Sequence, residues 1–448
     1  VAVVLALVAA VLSPGSAAVA DMSDLGGLLD LTRPGLGAVA AKLAAGDEAG
    51  AASELKVYYA GRADVQYPAP AEGLGGGDSG PDELAAGIFR FGSETRNFYN
   101  SAEQRIDIDW QDLWGGTRTT PGSAQTLMSD FTFMPKLTYA YVSESDPAKR
   151  AAYAAAWMDI SLDFFADNQS WPQGRNLSAA KRLAQLVSAF SVFRTDPGID
   201  ASDLVAYLSG VHATTDFLVG VMQIHVGNNW YVSMARSVHA AAVFLPEFSS
   251  SPGWEWFAVR SAERFLRAHL KGDGVYREPA FNYQAYVADI LNSVIAVADA
   301  NGRTVPDSLV QGADWIADSL FATRQPNLEP AAIGDTPNDY AGTSAIRRSG
   351  VRNSWPDFTW VASGRTEGTA PTLSSTVFPI SFAVQRSGWD ADARYMLINN
   401  QNSSYTASHR HPDDLSLVMA AYGRPLIVDS GVGDYSATPT NDWMRRTT

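Results

Sequence analysis

The chain has 448 residues, 46% hydrophobic and 18% charged, with 12 Trp, 17 Tyr and 19 Phe; this excludes a largely disordered chain and leaves material for two or three domains. Lys+Arg 33 against Asp+Glu 48 gives a net charge of -15, which excludes nucleic acid or an anionic membrane as a partner of the surface as a whole. Without cysteine there are no disulfides, thiolate nucleophiles or Cys-ligated zinc, so any metal rests on His and carboxylate.

Residues Val1–Leu12 form an apolar run too short to cross a bilayer, followed by Ser-Pro-Gly and Ala18-Val19-Ala20. This predicts a secretory signal peptide over 1–20, cleaved after Ala20. It lacks an initiator Met and a basic start, so the sequence is expected to begin inside the signal. No later run is expected to span a membrane, which makes the mature protein soluble and secreted or periplasmic.

From Pro34 to Phe321 the periodicity is mostly helical. Asp146-Pro147 opens a helix whose Tyr153, Trp157, Ile160 and Phe164 share a face. Further helices are predicted over Ala179–Phe193, from Trp230 to Pro246, and from Pro252 to Gly272 with Trp254, Phe257, Ala258 and Phe265 inward. A fifth carries Tyr286, Ile290, Val294 and Val297 and ends at Asn301-Gly302; a sixth carries Leu309, Ala313, Ile316 and Leu320. Serial helices over 21–325 bury their stripes by pairing, and a ring of helical hairpins is one solution.

Residues 326–376 are rich in Gly, Pro, Ser, Thr and Asn and read as a linker or long loop. From 377 to 448 the period becomes 2, with strands expected at Ile380–Gln385, Arg394–Ile398, Leu415–Tyr422 and Pro425–Val428. About four strands are few for a closed sandwich, so the chain is expected to stop inside this sheet domain. The Gly-rich Glu72–Gly80 lacks the strand-to-helix setting of a phosphate cradle.

Two of the six histidines lie in Ser408-His409-Arg410-His411-Pro412-Asp413-Asp414. Two apart on an extended backbone, both imidazoles face one side, where they either share a metal or divide a task. Asp429, after the run Pro425–Val428, is placed to complete such a cluster. A hydrogen-bonded turn explains the same residues without a metal. Asn228-Asn229 before an apolar helix reads as a cap, and Tyr283 as aromatic packing.

Taken together, these segments resemble the heparinase II/III-like polysaccharide lyases, which include alginate-lyase relatives. The resemblance is strongest in Arg386-Ser387-Gly388-Trp389, His409–Ser416 and Gly423–Gly431. It is moderate from Gly227 to Gly302, in Asn228-Asn229, Phe244–Phe248 and Glu278 with Tyr283. It is weaker in Leu31–Arg62, which includes Tyr58-Tyr59-Ala60-Gly61-Arg62.

The resemblance implies an α+β multidomain protein, an N-terminal (α/α) toroid followed by an antiparallel β-sandwich truncated at the C-terminus. It also implies β-elimination on an anionic, uronic-acid-containing polysaccharide such as a heparan sulfate-like glycosaminoglycan or alginate. Asn229, Tyr283 and His409 would be catalytic, and Asn228, Trp230, Glu278 and Arg410 would bind substrate. His411 and Asp429 would hold a structural zinc whose third ligand, a histidine, is expected beyond residue 448. Trp230 and Gln284 stand where many relatives have His, which favours Tyr283 as the proton-transfer group. Two other readings remain open: a glycoside hydrolase using Glu278 and Asp273, and a noncatalytic glycan-binding protein.

Overall fold

The computed structural model describes residues 21–69, 75–92, 94–110, 124–167, 176–224, 227–337, 342–372, 374–400, 409–433 and 438–446. The expected leader and part of the Gly-rich 72–80 lie outside the described residues. The chain divides into two compact units: Val1–Val226 with Ser233–Ala258 and Ala300–Gly302, and Gly227–Val232 with Val259–Asp299 and Arg303–Thr448.

The first unit runs through α1 (Met22–Leu28), α2 (Gly37–Ala44), α3 (Glu48–Gly61) and α4 (Pro81–Ala85). Two small hairpins follow, β1 (Ile88–Phe91) with β2 (Glu94–Asn97) and β3 (Tyr99–Asn100) with β4 (Arg105–Ile106). Then come α5 (Ala124–Ser129), α6 (Met134–Ser143), α7 (Pro147–Asp167), α8 (Asn176–Phe193) and α9 (Ala201–Ile224); α10 (Asn229–Phe244) and α11 (Ser251–His269) contain the boundary between the units.

Helix α7 starts where the cap predicts, with Asp146 accepting from the Ala148 N–H at 2.9 Å. Its Tyr153, Trp157, Ile160 and Phe164 are all buried, each contributing about 1.5–3 kcal/mol. Helix α9 corrects the expectation that no later run is long and apolar enough to span a membrane, because Ala201–Gln223 meets that test. Here it packs against α1, α3, α7 and α8, and its buried Tyr207 donates to the Leu186 carbonyl at 2.8 Å.

The segments around Tyr58–Arg62 and Phe244–Phe248 meet in one buried cluster. Arg62 Nη1 donates to both Glu247 oxygens at 2.7 Å, and the Tyr58 and Tyr59 hydroxyls donate to the same carboxylate at 2.7 and 3.3 Å. Burial and the Glu247 charge push the Tyr58 phenol up to about 12. A second buried carboxylate, Asp163 of α7, accepts from the Ile108 N–H at 3.0 Å and from Trp110 Nε1 at 2.7 Å. It fastens an extended segment that helical periodicity did not foresee. Burial raises its carboxyl to about 6, against 3.8 ordinarily.

In the second unit α12 (Phe281–Ala300), α13 (Asp307–Ala322), α14 (Ser344–Asn353) and α15 (Pro356–Ala362) precede one antiparallel sheet, and α16 (Pro439–Met444) follows it. Its strands β5 (Ser375–Phe378), β6 (Phe382–Arg386), β7 (Tyr395–Asn399), β8 (Leu417–Ala421) and β9 (Arg424–Ile427) pair in chain order. Val384, Leu397 and Val418 stand in register, all buried. Helix α12 buries Val287, Ile290, Leu291, Val294 and Ala298, so its inner face is rotated from the Tyr286–Val297 line expected.

The 326–376 stretch, expected to be a linker, holds two helices and the start of β5. Its period was hidden because α14 turns Ala345, Ile346, Ser349 and Gly350 inward. A Cβ on Gly350 would lie 2.9 Å from the Phe358 Cβ, so a small residue sits where an apolar one would have been read.

Two outcomes follow for stability. Arg62→Ala leaves the buried Glu247 with only Arg33, 3.7 Å away, as a cation and should cost about 3 kcal/mol in urea unfolding; a loss below about 1 kcal/mol would remove the cluster from the core's supports. For Asp163, the folded state holds its proton more tightly than the unfolded chain, so stability falls as pH rises from about 4 to 6. Asp163→Asn should flatten that slope, shifting the variant-to-wild-type difference by up to about 2 kcal/mol across the window.

Candidate active site and metal centre

Helix α10 begins with two adjacent asparagines that do different work. Asn228 caps the helix, its Oδ1 accepting from the Trp230 N–H at 3.1 Å. That leaves the Asn229 amide, itself buried, to donate to Glu278 Oε2 at 3.3 Å. Trp230 is 40% exposed at the same helix end.

Glu278 reaches Asn229 from a tight turn after α11. Leu270 bridges Tyr276, and Gly274 sits at φ +82, where a Cβ would come within 3.1 Å of Trp315. Asp273 accepts from the Val275 and Ile380 N–H groups, and Lys271 donates to Ser381 Oγ at 3.1 Å, which ties the turn to the loop between β5 and β6. Glu278 is only 3% exposed and holds Asn229, itself 2% exposed. Burial raises its carboxyl, while the nearby His409 and hydrogen bonds from Tyr276 and Asn229 oppose the rise. His269, buried beside Arg277, is pushed down to about 4 by burial and by that guanidinium.

Tyr283 lies in the first turn of α12, half-buried, and its ring stacks on His409 with centroids 3.6 Å apart and planes 13° from parallel. His409 adopts φ +63, a conformation costly for a non-glycine residue. Its Nδ1 meets Asp335 Oδ2 at 2.8 Å, and His411 Nε2 meets the other oxygen, Oδ1, at 2.9 Å. Burial alone would raise the Asp335 carboxyl, but the hydrogen bonds from His409 and His411, with Arg445 nearby, hold it well below its ordinary range. Asp335 sits in the stretch expected to be a linker and was not foreseen.

Of the residues predicted from sequence, Asn229 pairs with Glu278 and Tyr283 with His409, both pairs within the second unit, and the His409 charge is felt at Glu278. Arg410 instead pairs with Asp414 at 2.9 Å. Asp273, the second carboxylate of the hydrolase reading, accepts from one backbone N–H at each oxygen. Gln284 is buried between the Pro279 carbonyl and Ser319.

A family model described as Heparinase II/III N-terminus matches residues 27–346, and one described as Heparinase II/III-like, C-terminal matches residues 383–448. The chain belongs to the heparinase II/III family. A heparin-sulfate lyase of Bacteroides thetaiotaomicron is 21% identical over 93% of this chain, and the chain spans 64% of that relative's length. A crystal structure of heparinase III matches with a TM-score of 0.77 at 18% identity, over 94% of this chain and 69% of that one. The heparan sulfate lyase HepC from Pedobacter heparinus matches at 0.72 and 21% identity, over 95% and 68%. These neighbours share the expected fold, a helical toroid followed by an antiparallel sheet domain.

In this heparinase-family chain the metal question turns on His411, Asp413 and Asp429, all buried, whose ligand atoms lie within 4.8 Å of one another. His411 Nδ1 and Asp429 Oδ2 are buried without a hydrogen-bond partner, a state polar atoms rarely keep. Burial and the neighbouring Asp413 charge raise the Asp429 carboxyl to about 6. Two buried carboxylates and an imidazole edge, with Asp335 behind the imidazole, suit a divalent cation. Among the described residues Asp413 is a further candidate donor, inside the His-x-His-Pro-Asp stretch but not counted from sequence. Its Oδ2 also accepts from the Gly334 N–H at 2.8 Å.

His411→Ala and Asp413→Asn should each lower metal affinity at least ~10-fold, read by elemental analysis after equilibrium dialysis. Unchanged metal content in His411→Ala would place the ion elsewhere.

Proposed function

We propose that this protein is an exported polysaccharide lyase that cleaves a heparan sulfate-like uronic-acid polymer by β-elimination. The observation that carries the reading is the stack of Tyr283 on His409, in the same unit as the Glu278-held amide of Asn229. The names of the relatives support heparan sulfate over alginate. The apolar leader at 1–20 supports export.

The reaction removes the C5 proton of a uronate and expels the oxygen at C4, leaving a conjugated double bond. Its obstacle is the weak acidity of C5 beside an ionised carboxylate. The Asn229 amide donates to that carboxylate as charge builds on it, an effect of about 3–4 kcal/mol in comparable oxyanion sites. Glu278 fixes the amide's direction. His409, held by Asp335, adds a second polar group at the reacting ring. Tyr283 moves the proton, taking it from C5 or delivering it to the leaving oxygen.

We assign zinc to His411, Asp413 and Asp429. When bound it supplies positive charge between two buried carboxylates and secures the loop that bears His409. The acidic net charge also means that the polyanion is met by local donors, with no contribution expected from nucleic acid or a membrane surface.

On a panel of uronate polymers the protein should generate products with the ultraviolet absorbance of the conjugated double bond. Tyr283→Phe, Asn229→Ala and His409→Ala should each reduce kcat about 10²–10³-fold without loss of cooperative unfolding. Saturated products would instead identify a hydrolase, and retained binding without turnover a glycan-binding protein.

A further inference from the structure

We propose that Asp335 is a positioning residue that fixes the tautomers of His409 and His411 in opposite senses and so couples the metal centre to the active site. The proposal deepens the lyase reading and rests on it for the role of His409.

A carboxylate accepts hydrogen bonds and cannot donate them. The His409 nitrogen facing Asp335 Oδ2 is Nδ1, at 2.8 Å, so a proton sits there, and in the neutral ring Nε2 carries none. The His411 nitrogen facing Oδ1 is Nε2, at 2.9 Å, so a proton sits there, and in the neutral ring Nδ1 keeps its lone pair. That Nδ1 is the buried atom lacking a partner, on the residue grouped with Asp413 and Asp429. One carboxylate thus prepares one imidazole as a ligand and the other as a polar group beside Tyr283.

The backbone around Asp335 is built to hold it there. The Asp335 N–H donates to the His409 carbonyl at 3.2 Å, and the Gly334 N–H donates to Asp413 Oδ2 at 2.8 Å. Gly334, at φ +57, has no space for a Cβ, which would fall 2.6 Å from the His409 carbonyl oxygen. Thr336 Oγ1 accepts from the Phe281 N–H at 2.8 Å and donates to the Ile333 carbonyl at 2.6 Å, joining the bracket to the helix that carries Tyr283. Residues 333–336 therefore touch the metal ligands, His409 and the start of α12 together. Any shift of Asp335 is felt at all three.

The test uses the full chain. Nitrogen NMR on ring-labelled histidines of the metal-stripped wild type, assigned with His409→Gln and His411→Gln, should show His409 protonated at Nδ1 and His411 at Nε2. Asp335→Asn should then lower kcat by about 10-fold or more with KM changed less than about threefold, and lower zinc affinity about 10–100-fold. Asp335→Glu should recover part of both.

The opposite tautomer, or a ring protonated at both nitrogens, at either histidine in the wild type at neutral pH overturns the proposal, whatever the variants do. So does an Asp335→Asn protein with wild-type kcat and metal affinity. If Asp335→Asn fails to fold, the wild-type tautomers decide alone. If the wild type turns over no uronate polymer, the lyase reading falls, while the tautomers and metal affinity still judge the role of Asp335.

Discussion

A single carboxylate shared by two imidazoles is the constraint on which the rest of the second unit turns. His409 and His411 are near neighbours in sequence, but a chain bearing them two residues apart has no intrinsic reason to present opposite ring nitrogens to a common point. Asp335 supplies that reason, because its two oxygens meet Nδ1 of one ring and Nε2 of the other. The left-handed conformation of His409 is the backbone's concession to this geometry. A residue held at φ +63 persists only when its surroundings over-determine it. Here they do so through the Asp335 contacts and the Tyr283 stack.

The distribution of charge follows a related logic. For an acidic chain, the proposed action on an acidic polymer invites a search for arginines near the candidate site, yet the arginine most prominent in the sequence motif is committed elsewhere. Arg386 is buried, donates to the Ala322 and Arg324 carbonyls at 2.6 and 2.8 Å, and lies over the Trp389 ring. Arg62 is likewise consumed by Glu247. These cations hold the fold. What the candidate site holds besides is an amide, a phenol and an imidazole, each oriented by a buried carboxylate or an aromatic stack. Preorganised dipoles of this kind stabilise developing charge without reorganising when it appears.

What the sequence disclosed, and what it concealed, has the same physical root. Long amphipathic helices such as α7 and α13 were legible because large apolar residues repeat on one face, and β6 and β7 because alternation places Val384 and Leu397 inward. Helix α14 was illegible because its inner face is made of alanine, serine and glycine around a single isoleucine. The hairpins between Ile88 and Ile106 were missed because short strands carry little period, and their attachment depends on Asp159 and Asp163 of a distant helix. At the site, Asn229, Tyr283, His409, His411 and Asp429 could be named from motifs. Asp335 could not, because a lone Gly-Asp-Thr in a polar stretch looks like any turn. Its meaning arises only from what tertiary structure brings against it.

The two asparagines at the start of α10 show why a bland reading and a functional one need not compete. Every helix leaves its first N–H groups unsatisfied, and an asparagine there is ordinarily explained by capping. Had the chain offered one asparagine, its amide would have been divided between the helix end and Glu278, and neither geometry would have been fixed. With two, Asn228 satisfies the Trp230 N–H, and the next side chain is released to the buried carboxylate. The cap sets where the helix begins, and thereby the direction in which Asn229 leaves the backbone. Glu278 then fixes its rotation. Local helix chemistry and the chemistry of the site are in this way successive steps of one construction, the first giving position and the second orientation.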